Sequence, residues 1–394
     1  MDNKYRLGCV VFLFIATLLH AQWESTIDLS ESNTVVPAHA WSISSSFGGM
    51  VHVVWSDIRD INPVVYYKRS TDYGNSWEDE IRFVDTESNA ENPGVSIAGV
   101  MNPVVHVIWD DDRDGNKEIY YKRSSDWGVT WSNEIRLTNT PGASVQPNLH
   151  GCVCCGADIR IVWIEEHEGY AWIYYKSSDD NGLSWSDDVC ISAFASVKEH
   201  PNISFCRADV QVIWTDHRNG KHEIWGSHST DQGATWEPEI LLSHEDHVWA
   251  GYATIAHVDS IYYVMWPAHA QYPDPSGNGV YFRSTNDLGL TWSPIQRIVT
   301  HEKEYVPFIS CAAMKENLHI TWGVPEQGLY YKRSIDKGVT WQDMIELEES
   351  AGARFPCTAI SGKCVHIVWS EKSSEGTTVH YMRDPQGNPV GESE

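Results

Sequence analysis

The residues best suited to chemistry lie in the second half of the chain, in loops that depart from an otherwise regular repeat. They are His200, His269, the neighbouring pair Glu304 and Tyr305, and Arg354. Imidazole, carboxylate and phenol groups can transfer protons, and a guanidinium group can hold a substrate carboxylate. This set predicts one functional sector. The alternative is that these are ordinary solvated loop residues, as most charged loop residues are.

The elements that must position these residues come from a repeat of about 50 residues, a period typical of solenoids and propellers. In the clearest copy, residues 105–109 and 119–123 are β-branched and aromatic runs separated by an Asp/Gly-rich turn, which predicts a hairpin. One strand precedes this hairpin and one follows it. Four strands with both faces covered predict a propeller blade. The same strand ends in tryptophan in every copy, at Trp55, Trp109, Trp163, Trp214, Trp266, Trp322 and Trp369.

A second motif, Ser-x-Asp-x-Gly-x-Ser/Thr-Trp, falls between the third and fourth strands, with threonine in the first place of one copy. Its six aspartates are Asp72, Asp126, Asp180, Asp231, Asp287 and Asp336. The motif suits a tight turn, because the short carboxylate can accept bonds from nearby backbone N–H groups and glycine permits positive φ. The copies resemble the Asp-boxes, or BNR repeats, of sialidase-like β-propellers. The resemblance implies that the box is structural and lies on the face away from the ligand site.

The seventh copy lacks the box and the fourth strand, and a matching strand stands at the other end of the chain. Residues 23–29 have the pattern of residues 131–137, with tryptophan first and apolar residues four and six places later. We therefore predict an all-β fold, a seven-bladed β-propeller of four-stranded antiparallel blades whose last blade is closed by the N-terminal strand. Six blades, the usual number in catalytic sialidases, is the alternative.

Three segments are predicted along the chain. Residues 1–21 have basic residues ahead of an apolar run shorter than the roughly 20 residues of a spanning helix, so they are predicted to be a signal peptide. Residues 22–384 are predicted to form the Asp-box propeller, and residues 385–394 a polar C-terminal tail. We expect a protein that is secreted or periplasmic, monomeric and not inserted in a membrane.

The net charge of −26 narrows the choice of partners. It argues against nucleic acid and against anionic membranes. It also disfavours a polyanionic substrate unless basic residues are gathered at one site. The expected partner is an extracellular glycan or glycoprotein.

The loop between the second and third strands contains an Asp/Arg/Glu set in several copies. One copy, with Asp110, Asp112 and Asp114, resembles the start of a calcium loop, since oxygen ligands at alternate positions suit calcium. The other copies lose the alternation, which favours a local ion-pair network over calcium. We expect no cofactor, with calcium as the alternative. The arginines of the set are Arg59, Arg113 and Arg218.

The chain has nine cysteines, of which Cys9 lies in the predicted signal peptide. An even number of remaining cysteines in an exported protein favours disulfides. Cys357 and Cys364 flank a predicted turn and could pair. Cys206 could bridge to the cysteine cluster at residues 152–155 in the preceding blade, and that cluster could alternatively hold a metal through its thiolates.

Three functions follow from the resemblance. Arg354-Phe355-Pro356 resembles the Arg-Ile-Pro motif of sialidases, whose arginine begins an innermost strand and holds the substrate carboxylate; Tyr305 and Glu304 would then be nucleophile and base. The second function is a non-catalytic propeller that binds a glycan or a protein. The third is a polysaccharide lyase similar to the known seven-bladed propeller lyases, in which a histidine or tyrosine removes the proton beside a uronate and an arginine neutralises its charge.

Overall fold

The computed structural model describes residues 23–31, 34–36, 42–46, 48–59, 61–85, 87–99, 102–151, 156–243, 249–269, 277–300, 308–324, 326–348 and 352–388. These residues form seven antiparallel sheets and contain no α-helix. Within this part of the chain no helix is long and apolar enough to cross a membrane. The predicted signal peptide lies outside the described residues.

The seven sheets are the seven predicted blades. Blade 1 contains β2 (Val35–Val36), β3 (Ile43–Ser45), β4 (Val51–Asp57), β5 (Val64–Ser70) and β6 (Ile81–Arg82), and blade 2 contains β7 (Ala90–Ala98), β8 (Val104–Asp111), β9 (Glu118–Ser124) and β10 (Ile135–Arg136). Blade 3 contains β11 (Ala143–Gly151), β12 (Ile159–His167), β13 (Tyr170–Ser178) and β14 (Val189–Cys190), and blade 4 contains β15 (Lys198–Cys206), β16 (Asp209–Asp216), β17 (Glu223–Ser229) and β18 (Ile240–Leu241). Blade 5 contains β19 (Trp249–Ala250), β20 (Thr254–Val258), β21 (Ile261–His269), β22 (Gly279–Thr285) and β23 (Gln296–Thr300). Blade 6 contains β24 (Phe308–Met314), β25 (Asn317–Val324), β26 (Gly328–Ser334) and β27 (Ile345–Glu348), and blade 7 contains β28 (Ala353–Ser361), β29 (Cys364–Ser373), β30 (Gly376–Asp384) and β1 (Ile27–Asp28).

The predicted closure by the N-terminal strand is confirmed. Strand β1 pairs antiparallel with β30, with Ile27 opposite Tyr381. Trp23 packs edge-on against Tyr331 of blade 6 with ring centroids 5.0 Å apart, and Glu24 accepts a 2.6 Å bond from Arg383. The first and last parts of the chain therefore share one sheet, which leaves the ring without an open blade.

The innermost strands surround a central channel. Strands β3, β7, β11, β15, β20, β24 and β28 contact one another in succession around the ring. A cavity of about 420 Å³ lies between them, lined by residues of all seven blades. The first-to-second strand turns and the Asp-boxes lie on one face, since Tyr73 and Gln232 of two boxes donate backbone bonds to Gly49 and Ala208 of those turns. We call this the Asp-box face, and the opposite one the loop face.

Each Asp-box is held by one set of hydrogen bonds, illustrated by the second copy. Asp126 accepts bonds from the backbone N–H and the hydroxyl of Thr130 at 2.8 and 2.6 Å, and Gly128 N donates to Ser124 Oγ at 2.7 Å. These bonds hold the pKa of Asp126 at about 2. The aspartates of the other five boxes accept the same pair of bonds.

The box glycine is the point at which neighbouring blades meet. Tyr67 of blade 1 packs edge-on against Trp131 of the blade 2 box, and a Cβ at Gly128 would lie 2.0 Å from the Tyr67 hydroxyl oxygen. The hydroxyl bonds His52 Nδ1 at 2.6 Å, and burial lowers the pKa of His52 to about 3, so the imidazole is neutral. A Cβ would meet a tyrosine of the preceding blade equally closely at Gly74 (Tyr381), Gly182 (Tyr121) and Gly233 (Tyr175).

Part of the predicted C-terminal tail belongs to the folded domain. Asn388 is fully buried and its amide donates to the Gly362 carbonyl at 2.6 Å. Its side-chain oxygen accepts a 2.6 Å bond from Asn317. Residues 385–388 therefore extend the propeller.

The predicted Cys357–Cys364 disulfide is wrong, because the register of the β28–β29 hairpin keeps the two residues apart. Cys357 lies opposite Val368 across the β28–β29 hairpin, four residues from Cys364 along the strand. That separation is about 13 Å, far beyond the roughly 7 Å limit for joining two cysteines. Residues 152–155 lie outside the described residues, so the predicted bridge from Cys206 to that cluster stays a prediction.

Replacing Gly128 by alanine tests the contact between blades. We expect Gly128→Ala to lower the free energy of unfolding by about 2–4 kcal/mol, because the new Cβ adds overpacking against Tyr67 to the strain of positive φ. Gly115→Ala is the matched control: its φ is +106° and nothing lies near its Cβ, so only the strain of about 1–2 kcal/mol applies. Urea unfolding measures both, and equal losses would contradict the contact.

Candidate functional site

The innermost strands enter the ring on the loop face through β-bulges. The pairing of β7, β11, β15 and β28 with their neighbours shifts register within the first few residues. Such a bulge inserts one residue, bends the strand and re-aims a side chain. The bulge residues have φ between 49° and 52°, as does the corresponding residue of blade 5: Asn92, Gln146, His200, Tyr252 and Phe355.

In blades 2 and 3 the bulge residues are polar and bonded to the protein itself. The Asn92 amide donates to Asp110 at 2.7 Å, and Gln146 N donates to the same carboxylate oxygen at 3.1 Å. Gln146 Oε1 in turn accepts a 2.9 Å bond from His200 N. This side of the channel mouth is therefore occupied by structural hydrogen bonds.

From blade 4 to blade 7 the channel mouth is aromatic. The rings of His200 and Tyr252 have centroids 4.0 Å apart, Phe308 lies 4.8 Å from Tyr252, and Phe355 lies 3.8 Å from Phe308. These four residues, which we call the aromatic arc, line a cavity of about 60 Å³ on the loop face. An arc of partly exposed rings at a cavity is typical of a ligand site.

Tyr252 is the proton donor that the aromatic arc provides. Burial and the nearby negative charge of Glu199 raise the pKa of Tyr252. The phenol therefore stays protonated through neutral pH and can donate a proton. The imidazole ring of His200 lies beside it.

A second group of residues borders the aromatic arc in blade 4. His217 Nε2 lies 3.3 Å from Glu199 Oε2, and His222 Nδ1 lies 4.0 Å from the same oxygen. The two imidazole rings have centroids 3.8 Å apart. The bond from His217 lowers the pKa of Glu199, and burial lowers that of His222. All three side chains are half-buried.

Trp249 joins this group to the aromatic arc. Its ring centroid lies 5.9 Å from that of His222, 5.7 Å from Tyr252 and 5.1 Å from His269. The predicted site residues His200 and His269 are thus brought into one cluster around Tyr252 and Trp249.

Arg59, Arg113 and Arg218 form the same structural unit in three blades. Arg218 pairs with Asp216 at 2.5 Å and with Glu239, and its guanidinium carbon lies 4.0 Å from the Trp225 ring centroid. The other two repeat this arrangement with Asp57, Glu80 and Tyr66, and with Asp111, Glu134 and Tyr120. These arginines are engaged by the fold.

Arg354 differs from them. It lies at the start of β28, one residue before Phe355, and its side chain is exposed. No acidic side chain among the described residues is paired with it. Arg354 is therefore an exposed guanidinium at the start of an innermost strand, with no carboxylate partner in the described part of the chain.

The three aspartates of the predicted calcium loop do not join this cluster. Asp110, Asp112 and Asp114 bind separate partners, so they do not converge as calcium ligands would. Those partners are Lys117 for Asp110, Asn89 for Asp112, and Arg136 with Tyr120 for Asp114. Glu304 and Tyr305 lie outside the described residues.

Sequence reasoning missed Tyr252, Trp249, Phe308, His217 and His222 as site residues. A comparison of repeat positions contained the signal: His217 and His222 occupy the loop positions of Asp112 and Lys117 in blade 2, and Tyr252 occupies the position of Asn92. The β-bulge that turns an entering-strand residue such as Tyr252 toward the channel could not be predicted from the sequence of a single repeat.

The chain is a seven-bladed β-propeller, and its fold is similar to those of solved propellers that include a sialidase and a polysaccharide lyase. Among solved structures, the polysaccharide lyase Uly1 superposes with a TM-score of 0.62 at 10% identity, covering 92% of this chain and 99% of that one. The Hadza microbial sialidase Hz136 superposes with a TM-score of 0.52 at 15% identity, covering 88% and 65%. The arabinanase of Penicillium chrysogenum superposes with a TM-score of 0.54 at 16% identity, covering 75% of this chain and 94% of that one. No protein-family model and no curated sequence matched the chain. At these identities the likeness concerns the fold alone.

The arginines held in ion pairs can be distinguished from Arg354 by how much their replacement lowers the free energy of unfolding. We expect Arg218→Ala to lower the free energy of unfolding by about 2–4 kcal/mol, since it removes an ion-pair partner from the fully buried Asp216. Arg354→Ala, at an exposed position, should change it by less than about 0.5 kcal/mol. Denaturant unfolding of both variants measures the difference. A large loss in Arg354→Ala would show that this arginine, too, supports the fold.

Proposed function

We propose that this chain is an exported enzyme that cleaves an acidic glycan by β-elimination next to a uronate. The observation that carries the proposal is that His200 and Tyr252 lie side by side in the aromatic arc, with Arg354 one residue before Phe355 of the same arc. They supply an imidazole, a phenol and an exposed guanidinium that no acidic side chain among the described residues pairs with. Export rests on the predicted signal peptide at residues 1–21.

The chemistry divides among three residues. Arg354 binds the uronate carboxylate and stabilises the negative charge that develops when the neighbouring C5 proton leaves. A nitrogen of His200 takes that proton, and the Tyr252 hydroxyl protonates the departing glycosidic oxygen. The C4–O bond breaks as a C4–C5 double bond forms, so the products are an unsaturated uronate and a new sugar end.

Phe308 and Phe355 supply binding surface rather than chemistry. Their rings lie between Tyr252 and the start of β28, where the apolar faces of a sugar ring can pack against them. Binding there would place the carboxylate toward Arg354 and the C5 proton toward His200. Binding of the sugar ring would also hold the C5 proton at a fixed distance from His200 during the reaction.

The net charge of −26 does not exclude an acidic substrate. Exposed charges are screened over about 8 Å at physiological ionic strength, so distant acidic residues act weakly at the aromatic arc. At the site, Arg354 outweighs these distant charges, because its guanidinium can contact the carboxylate directly.

A sialidase is the second candidate, supported by one observation. Arg354 lies exposed at the start of an innermost strand within Arg-Phe-Pro, as the carboxylate-binding arginine of sialidases would. Against it, the three other arginines of the repeat are engaged in ion pairs, whereas sialidases need two further arginines for the carboxylate.

The test is an assay of the purified mature chain against uronate-containing polysaccharides and a sialylated glycoprotein. We expect unsaturated uronate, seen by its ultraviolet absorbance, and no free sialic acid. His200→Ala and Tyr252→Phe should each lower kcat by about 10²–10⁴-fold, as expected for lost acid–base catalysis. Arg354→Ala should mainly raise KM.

Arg207→Ala is the matched control, because Arg207 is an exposed arginine in the β15–β16 turn on the Asp-box face. It should leave the rate unchanged. Free sialic acid that depends on Arg354 would replace the lyase by a sialidase. Glycan binding without any product would instead make the chain a binding propeller.

A further inference from the structure

The residues beside the aromatic arc in blade 4 carry an inference that does not depend on the proposed function. We propose that Glu199, His217 and His222 together bind a zinc ion, with one coordination position left open on the loop face. Two imidazoles and a carboxylate are a zinc ligand set, and three protein ligands with an open position are typical of a catalytic rather than a structural site.

The distances fit such an ion. Nitrogen and oxygen ligands about 2.0–2.2 Å from a tetrahedral zinc lie about 3.3–3.6 Å from one another. His217 Nε2 and His222 Nδ1 lie 3.3 and 4.0 Å from the same oxygen of Glu199. The ligand atoms of the three residues all fall within 4.8 Å of one another, so small side-chain rotations bring them onto one centre.

Hydrogen bonding alone accounts for only part of this arrangement. His217 and Glu199 are within bonding distance, but His222 Nδ1 is too far from the carboxylate oxygen for a hydrogen bond. The two rings are nevertheless in contact, with centroids 3.8 Å apart, and both present a nitrogen to one oxygen. A shared cation explains why all three groups converge.

The repeat offers an internal comparison. In blade 2 the positions of Glu199, His217 and His222 are held by Glu91, Asp112 and Lys117, and Lys117 forms ion pairs with Glu91 and Asp110. The fold is thus satisfied there by an ordinary ion pair. Blade 4 replaces the lysine and the aspartate by histidines. The ammonium group that pairs with the glutamate in blade 2 is thus replaced in blade 4, and two imidazoles that can bind a metal lie at the same place.

The elements that hold the ligands are rigid enough for a defined site. Glu199 belongs to β15, and the histidines lie in the short loop between β16 and β17. That loop is fixed by bonds from the His217 N–H to the Val197 carbonyl at 3.0 Å and from Gly220 N to the His217 carbonyl at 2.9 Å. The adjacent Arg218 is anchored to the buried Asp216. Little backbone rearrangement is then needed on binding.

The experiment is metal titration of the chelator-treated full mature chain. Zinc binding is followed by calorimetry, and cobalt binding by visible absorption, which distinguishes nitrogen and oxygen ligands from thiolates. We expect one equivalent bound with no sulfur-to-cobalt band. His217→Ala and His222→Ala should each weaken that binding by more than about 100-fold, since even the loss of an outer-shell partner costs 10–100-fold. Glu199→Gln, which keeps the shape of the side chain, should weaken it in the same direction.

His167→Ala is the matched control, because His167 is an exposed histidine at the end of β12, beside the corresponding turn in blade 3. This variant should bind zinc and cobalt as tightly as the unsubstituted chain, which we call the parent. Near-ultraviolet circular dichroism of each variant checks the fold. The proposal is overturned if the parent binds no metal, if the bound cobalt shows only thiolate ligation, or if the three ligand variants bind as tightly as His167→Ala. No activity is measured, so failure here leaves the proposed β-elimination to its own test.

Discussion

In four of the six Asp-boxes the glycine contacts a tyrosine of the preceding blade, and the rest of the ring depends on the close approach at these positions. At Gly128 there is no room for even a Cβ beside the Tyr67 hydroxyl, and the same holds for Gly74 beside Tyr381 where the last blade meets the first. A neutral, buried histidine holds each of these hydroxyls in place. Because van der Waals overlap rises steeply with approach, this contact fixes the spacing of neighbouring blades more sharply than the hydrophobic surface around it.

That constraint explains why the two faces of the ring differ. The Asp-box face repeats a local set of bonds in every box, so its aspartates and glycines are committed to structure. On the loop face, blades 1, 2 and 4 repeat an arginine held between two carboxylates and an aromatic ring. What remains available is the channel mouth between blades 4 and 7, where aromatic and histidine residues replace the amides of blades 2 and 3. Function can vary there without disturbing the contacts between blades.

The repeat made most of the fold predictable, because seven copies of one pattern report the same strand order and the N-terminal strand completes the last copy. The same comparison placed His200, His269 and Arg354 on the loop face. It did not identify Tyr252 or Phe308, since a bulge decides which residue of an entering strand faces the channel. The cysteine prediction failed for a related reason. Two cysteines that flank a turn can form a disulfide only if the strand register places them opposite each other, and here the register places Cys357 opposite Val368.

We propose that ligands bind at the channel mouth between blades 4 and 7. The most direct test is a crystal structure of the His200→Ala variant with a uronate oligosaccharide. We predict a sugar ring packed against Phe308 and Phe355, its carboxylate bonded to Arg354 and its glycosidic oxygen within reach of the Tyr252 hydroxyl. An oligosaccharide bound over blades 1 to 3 or on the Asp-box face, without a contact to Arg354, would contradict a ligand site between blades 4 and 7.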